Sequence, residues 1–379
     1  MKKIIFKNSK KWNNPYAVAF TFDESISEKI KLNEMQSPDE FSFKLDDKYN
    51  HVCFCSDDEG TGKIYLGKIS IGVEYKRNEG MNRDLTYLYS TNSTKTGRVD
   101  NYVLLDEKNL SHRSDMSKKI SVFIPDSYDG KTPHDILYFF DAQNLFSSAG
   151  EYTECGDPYG SWQLDVVIDE LHRQYGKNII VVGIDNADMY RSNELFMNPE
   201  KFGDLSPLAT AIPEDDFSRG YLEGLSSFMV TTLHSFIKDK YCVKEDNIGI
   251  GGSSMGGIAS FYCGLYEMGF YKYVLSYSPA FGLYEMSAFE NWFKLIDLKK
   301  YTDKLPGIHI YCGGGDILEE QLLPAARAMK SLLVKYGYDE DKIFETYDME
   351  KPHNEESWRL ILPESFSYLL NLEGQNDEN

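Results

Sequence analysis

From residue 119 onward the chain alternates short, almost uninterrupted apolar runs with long stretches whose apolar residues return at helical spacing. This rhythm restricts the fold more than any other feature. The apolar runs are KISVFIP (119–125), DILYFFDA (135–142), NIIVVGID (178–185), NIGIGGS (247–253), KYVLSYS (272–278) and GIHIYCG (307–313). The helical stretches include WQLDVVIDELHRQYG (162–176), GLSSFMVTTLHSFIKDKY (224–241), PAARAMKSLLVKYGY (324–338) and EESWRLILPESFSYLLNL (355–372). Strands that are apolar along their whole length have both faces buried, which predicts a mostly parallel sheet with helices on either side. A sheet of this kind carries its chemistry at the carboxyl ends of its strands.

The first 75 residues or so read differently. YAVAFTF (16–22), FSFKL (41–45), HVCFC (51–55) and KIYLGKISI (63–71) are short alternating segments separated by Asn, Asp, Gly and Pro clusters. That pattern predicts a small antiparallel β-sandwich over residues 1–92. The polar, small-residue stretch STNSTKTG (90–97) reads as a flexible boundary, with the α/β domain occupying 93–379. Within the latter, the connection 186–221 lacks strong periodicity and is long enough for a lid or a binding wall.

A chain of 379 residues is large enough for two such domains, and its net charge of −20 makes the surface repel phosphate backbones and anionic headgroups. Nucleic acid and membrane surfaces are therefore not expected partners. Cysteines at 53, 55, 155, 242, 263 and 312 form no CxxC pair and read as reduced, partly buried thiols. The opening MKKIIFKNSKKWNN has too short an apolar run for a signal peptide, and no later run reaches membrane-spanning length. The expectation is a cytoplasmic protein, or a secreted one where a leader has been removed.

The most chemically specific stretch is IGIGGSSMGGIAS (248–260), which holds G-x-S-x-G as Gly252-Ser253-Ser254-Met255-Gly256 between an expected strand and an expected helix. A serine lifted above a parallel sheet needs a sharp strand-to-helix turn, and side chains two positions to either side would collide with their surroundings. Ser254 is thus the candidate nucleophile. The backbone N–H of Met255, at the helix start, faces the place where an oxyanion would form.

A serine nucleophile needs a base. His353, in MEKPHNEESWR between a strand candidate (342–349) and the last helix, lies where one is expected, whereas the remaining histidines fall in helical, strand or polar stretches. The carboxylate that holds the imidazole should lie between Ser254 and His353 in sequence. Asp316, just past the glycine run of YCGGGDILEE, is the first choice. Glu319 and Glu320 are close rivals and Asp348 a more distant one. The second oxyanion donor is expected from the loop after ILYFFDAQNLF (136–146), at the N–H of Gln143 or its neighbour Ala142.

Taken together, LYFFDAQNLF, VVGIDNADMYRSNE, IGGSSMGG, CGGGD and PHNEESWR resemble the putative-esterase family of α/β-hydrolases, which holds enterochelin-type siderophore esterases and the feruloyl and acetylxylan esterases of carbohydrate esterase family 1. The resemblance spans roughly residues 95 to 373 and implies an α/β-hydrolase fold with Ser254 as nucleophile, His353 as base and Asp316 as acid. Where the family pattern reads Asp-Gly, this chain has Asp141-Ala142, which adds a Cβ to the oxyanion loop. Arg191 and Glu194 match a family R…E stretch and read equally as substrate contacts or as a salt bridge, while Trp162 is a further expected substrate contact. The N-terminal IIFKNSKKWNNPYAVAF more loosely resembles starch-binding β-sandwich modules, whose exposed aromatics stack on sugars. Trp12 is the better glycan-binding candidate there, and Tyr16, which should share a core-facing side with Val18, Phe20 and Phe22, the weaker.

The expected activity is serine carboxylester hydrolysis through an acyl-enzyme, without metal or organic cofactor, on a small-molecule or oligosaccharide ester. Acetyl or feruloyl groups on carbohydrate are the first expectation for substrate. A siderophore trilactone, an inactive carbohydrate-binding protein and acyl transfer to a sugar hydroxyl are the alternatives.

Overall fold

In the strand Tyr16–Phe20 the methyl groups of Ala17 and Ala19 are fully buried, while Tyr16, Val18 and Phe20 are half-buried on the opposite side. The alternation expected from the sequence is present with its phase inverted. Small side chains turn inward because the space beneath them is filled by Phe6, Phe43 and Phe54, with Phe6 stacked on Phe54 at 4.4 Å. The computed structural model describes residues 2–7, 12–21, 26–34, 40–46, 48–49, 51–56, 64–65, 73–78, 85–113, 116–147, 161–186, 191–210 and 220–372. Phe22, Cys155, Tyr190 and parts of the expected strand 63–71 and of the connection 186–221 lie outside the described residues.

The chain divides into two compact units, one of residues 1–93 and 98–121 and one of residues 94–97 and 122–379. In the first, Tyr16–Phe20 pairs antiparallel with Ser27–Lys31 and His51–Cys55, and Lys2–Lys7 pairs antiparallel with Glu40–Leu45. The apolar sides of these two groups of strands supply one core. The stretch 90–97, expected as a flexible boundary, holds the turn between two paired strands. Leu85–Ser93 and Gly97–Leu105 form an antiparallel hairpin in which Thr94 N–H donates to Gly97 O at 2.9 Å. Polar side chains suit a tight turn as well as a linker, and the β-branched residues flanking this one select the hairpin.

Trp12 packs against the same core, 5.9 Å from the ring of Phe6, and the Lys29 ammonium sits 3.4 Å over the ring of Tyr16. The Trp12 ring thus serves the core, and one Tyr16 face is occupied by a cation. Both side chains remain partly exposed.

The second unit holds the parallel sheet, with strands in the order Ile343–Asp348, Gly307–Gly313, Tyr273–Tyr277, Val243–Ser253, His134–Phe140 and Ile179–Ile184. The strands at 134–140, 179–184 and 273–277 are buried at every position, as continuous apolar runs require. Strand His134–Phe140 connects by way of helix Leu164–Tyr175 to the strand on one side of it, and the chain then returns to place Val243–Ser253 on its other side. The order therefore reverses between Phe140 and Ser253, the point at which such sheets open a crevice for ligands. The described part of the long connection, 191–210, forms a packed wall: Leu195, Phe196 and Met197 are buried, Phe196 stacks on Tyr284 at 4.5 Å, and the Tyr284 hydroxyl donates to Met197 O.

Candidate active site

Strand Val243–Ser253 hands over to helix Met255–Tyr266 through a single residue, Ser254, at φ 56° and ψ −119°. A non-glycine residue there is strained by about 1–3 kcal/mol, and the neighbours hold it in place. Its N–H donates to Tyr277 O at 2.9 Å, and its carbonyl accepts from Gly257, Ile258 and Ala280. The flanking glycines have direct steric causes. A Cβ on Gly252 would lie 2.6 Å from Gly256 O, one on Gly256 3.0 Å from the Asp141 carboxylate, and one on Gly257 2.6 Å from Tyr277 O. The first N–H groups of a helix lack intrahelical partners, and Met255 is the first residue of this one.

His353 sits on the loop after strand Ile343–Asp348, which lies on the glycine run after strand Gly307–Gly313. Gly314 and Gly315 N–H both donate to Lys351 O, and a Cβ on Gly313 would lie 2.2 Å from that same oxygen. These glycines serve close approach of two loops. The Asp316 side chain caps helix Ile317–Lys335 through the Glu319 N–H, and its other oxygen accepts from the His353 backbone N–H at 2.6 Å.

The carboxylate that meets the His353 ring is Glu319, with Oε1 3.0 Å from Nδ1. This corrects the expectation that Asp316 holds the imidazole. A residue committed to capping the helix with one oxygen has only its second to offer, and the loop presents main chain to it. Glu319, one turn further along, points back beneath the ring and is fully buried. Its Oε1 also accepts from the Ser278 hydroxyl, and its Oε2 from Cys312 Sγ at 3.1 Å and Gly313 N–H at 3.0 Å. Burial alone would raise the Glu319 pKa. Hydrogen bonds from His353, Ser278 and Cys312, together with the charge of His353, outweigh it and hold the carboxyl below its ordinary value. Behind the imidazole, Trp358 lies edge-on at 4.9 Å and donates its Nε1–H to Ser278 Oγ at 2.9 Å. Neither Ser278 nor Trp358 was expected at the site, although the tryptophan falls in the same quoted stretch as the histidine.

The loop after strand His134–Phe140 begins at Asp141 in a left-handed conformation, φ 59°, and continues as a 3-10 turn over Ala142–Asn144. Ala142 is thus no obstacle, because the left-handed position falls on the aspartate before it. The Gln143 side chain accepts from Asn186 N–H at 3.4 Å, and Asn144 donates to Glu355 at 3.1 Å. Arg191 forms a two-pronged pair with Asp141, Nε to Oδ1 at 2.7 Å and Nη2 to Oδ2 at 2.9 Å. Its expected partner Glu194 is 1% exposed, and Trp162 is equally buried, between Phe139, Tyr277 and Trp358. Both side chains, expected as substrate contacts, are buried in the structure, Trp162 among three aromatic rings. Among the described residues no group of three or more His, Cys, Asp or Glu is placed to hold a metal ion, and no helix is long and apolar enough to cross a membrane.

Residues 111–369 match the model of a family described as putative esterase. The chain belongs to that family. No curated protein sequence matches this esterase. Among solved structures it is similar to a siderophore hydrolase from Aspergillus nidulans, with 13% identity, a TM-score of 0.52, and coverage of 69% of this chain and 91% of that one. A ferulic acid esterase aligns at 16% identity and a TM-score of 0.50, covering 73% of this chain and 99% of its own. The enterochelin esterase from Shigella flexneri aligns at 12% identity and the same score, over 97% of this chain and 89% of its own. At these identities the likeness is one of fold, an α/β architecture with a mostly parallel central sheet and a small all-β region before it.

Proposed function

We propose that this esterase-family chain is a serine carboxylester hydrolase in which Ser254, His353 and Glu319 form the catalytic triad. The observation that carries the reading is Ser254 held at φ 56° and ψ −119° at the switch point of the sheet, an outlying conformation of the kind that clusters at active sites. With Glu319 accepting from Nδ1–H, the imidazole keeps its proton on that nitrogen and offers Nε2 as the base.

In this mechanism Ser254 Oγ bonds to the ester carbonyl carbon as its proton passes to His353 Nε2, and the carbonyl π electrons move onto oxygen. The N–H groups of Met255 and Gln143 donate to that oxyanion. Collapse breaks the bond to the alcohol, which leaves with the proton from His353. Water then attacks the acyl-enzyme by the same steps in reverse order, releasing the acid and restoring the serine. Glu319 stays ionised and stabilises the imidazolium.

For substrate, we favour an acetyl- or feruloyl-type ester of a carbohydrate. The net charge of −20 supports a neutral substrate over an anionic one. A siderophore lactone is the second reading, favoured by the enterochelin esterase likeness, which runs through the N-terminal β region as well. Labelling with a fluorophosphonate, with the adduct located by mass spectrometry, tests the triad. Adduct on Ser254 and none in Ser254→Ala supports the reading; p-nitrophenyl acetate turnover surviving in Ser254→Ala refutes it. Release of acetate or ferulate from acylated oligosaccharides, against cleavage of a catecholate trilactone, separates the two substrates.

A further inference from the structure

We propose that the Arg191–Asp141 ion pair positions the oxyanion loop and neutralises a carboxylate lodged against the start of the nucleophile's helix, so that Arg191 acts through Asp141 and not on the substrate. This rests on the serine hydrolase reading above.

Asp141 is 8% exposed, and one of its carboxylate oxygens lies 3.0 Å from the point where a Cβ of Gly256 would stand. Gly256 is the second residue of helix Met255–Tyr266, so the carboxylate lies against the first turn of that helix. The helix N-terminus carries a partial positive charge, about half an elementary charge in an ideal helix. An uncompensated anion there would draw on the field that a developing oxyanion needs, and would itself be costly to bury. The Arg191 fork meets both oxygens and so removes the excess charge.

The same contact fixes geometry. Asp141 occupies a left-handed conformation that a residue with a Cβ adopts at a cost, and the next residues form the turn that presents the Gln143 N–H. Arg191 holds the loop on the Asp141 side, while Asn186 N–H to Gln143 Oε1 and Asn144 to Glu355 hold it further along. Arg191 is itself anchored by the packed wall that follows it, where Leu195 N–H donates to Arg191 O at 3.0 Å and Leu195 and Phe196 are buried.

The test measures kcat and KM on p-nitrophenyl acetate, a neutral ester with no anionic group for an arginine to pair with, in wild type, Arg191→Gln, Arg191→Lys and the double variant Asp141→Asn/Arg191→Gln. Thermal melts serve as the fold control. Losing an oxyanion donor outright lowers kcat by about 10²–10³-fold, so indirect misplacement should lower it by about ten- to a hundredfold in Arg191→Gln, with KM unchanged. Lysine, which keeps the charge and loses the fork, should fall between. The double variant, neutral on both sides and still able to hydrogen-bond, should recover part of the loss. A folded Arg191→Gln with wild-type kcat, a loss confined to KM, or a double variant no better than the single one overturns the proposal. If Arg191→Gln does not fold, Arg191→Lys decides: reduced kcat at constant KM upholds the proposal and wild-type kcat overturns it. Turnover persisting in Ser254→Ala would instead refute the hydrolase reading itself, and the two failures are thereby distinguished.

Discussion

His353 Nδ1 and Glu319 Oε1 lie 3.0 Å apart, while the backbone N–H of the same histidine is held at 2.6 Å by Asp316 Oδ2. One carboxylate thus orients the ring and the other orients the loop. If Glu319 is the acid of the triad, Glu319→Gln should lower kcat by up to about 10⁴-fold, because an amide no longer fixes the tautomer or balances the imidazolium. Asp316→Asn can cap the helix through its amide oxygen but then turns a donor toward the His353 N–H, so kcat should fall by about tenfold at most, far less than in Glu319→Gln, whereas Asp316→Ala should lose about 0.5–2 kcal/mol of stability with the cap. Steady-state kinetics and denaturant melts on the three variants check this. An active Glu319→Gln beside an inactive Asp316→Asn would reverse the assignment.

Ser278 links the tryptophan behind the ring to the buried carboxylate. Removing its hydroxyl in Ser278→Ala leaves the Trp358 N–H buried without its acceptor, a loss of about 1–3 kcal/mol. Glu319 keeps its other donors, so kcat should fall by no more than about tenfold, about 1.4 kcal/mol in the barrier. Unaltered stability in this variant would show that the network is not maintained in solution.

The parallel sheet, the serine turn and the histidine loop are legible because each rests on a strong local signal: continuous apolar strands, paired glycines, and a histidine between a strand and a helix. Glu319 is harder to single out from Asp316, since three residues along a helix start separate a carboxylate that caps from one that reaches the ring. Only the tertiary approach of the loop 348–353 tells them apart. The glycines at 313–315 suggest flexibility by composition, yet their neighbours make them sites of closest approach. Arg191 and Glu194 suggest a pair by proximity in sequence, but the arginine instead reaches Asp141, fifty residues earlier in the chain. The inverted phase of Tyr16–Phe20 has the same origin, because alternation identifies two faces and the partner sheet chooses between them.

Glycine positions give a graded steric test. Gly252→Ala places a methyl 2.6 Å from Gly256 O, and Gly313→Ala places one 2.2 Å from Lys351 O, both against main chain that cannot rotate away. Each should lose at least about 1–3 kcal/mol and displace, respectively, the nucleophile or the histidine loop, so kcat should drop along with stability. At Gly282 the added methyl meets nothing nearer than the end of Leu208 at 3.5 Å, an ordinary contact, and Gly282→Ala should stay within about 0.5 kcal/mol of wild type. Chemical denaturation of the three proteins reads the difference. Equal stabilities would mean that the close approaches relax at no cost.

Acid sensitivity should come in part from a histidine far from the chemistry. His309 lies on strand Gly307–Gly313 with no exposure, its ring nitrogens 2.7 Å from Ser365 Oγ and 2.9 Å from Thr346 Oγ1. Burial pulls its pKa from the ordinary 6.5 down to about 4. A depressed histidine stays neutral in the folded protein while the unfolded chain takes up the proton. Its contribution is therefore complete above about pH 6.5 and is lost as the pH falls toward 4, by about 3 kcal/mol. His309→Gln can still hydrogen-bond and cannot titrate, so it should be less stable than wild type at neutral pH yet lose less between pH 6.5 and 4. The carboxylates titrate in both proteins and cancel in the comparison. Melting curves at half-unit pH steps resolve the slopes, and parallel slopes for the two proteins would remove His309 as a source of the acid response.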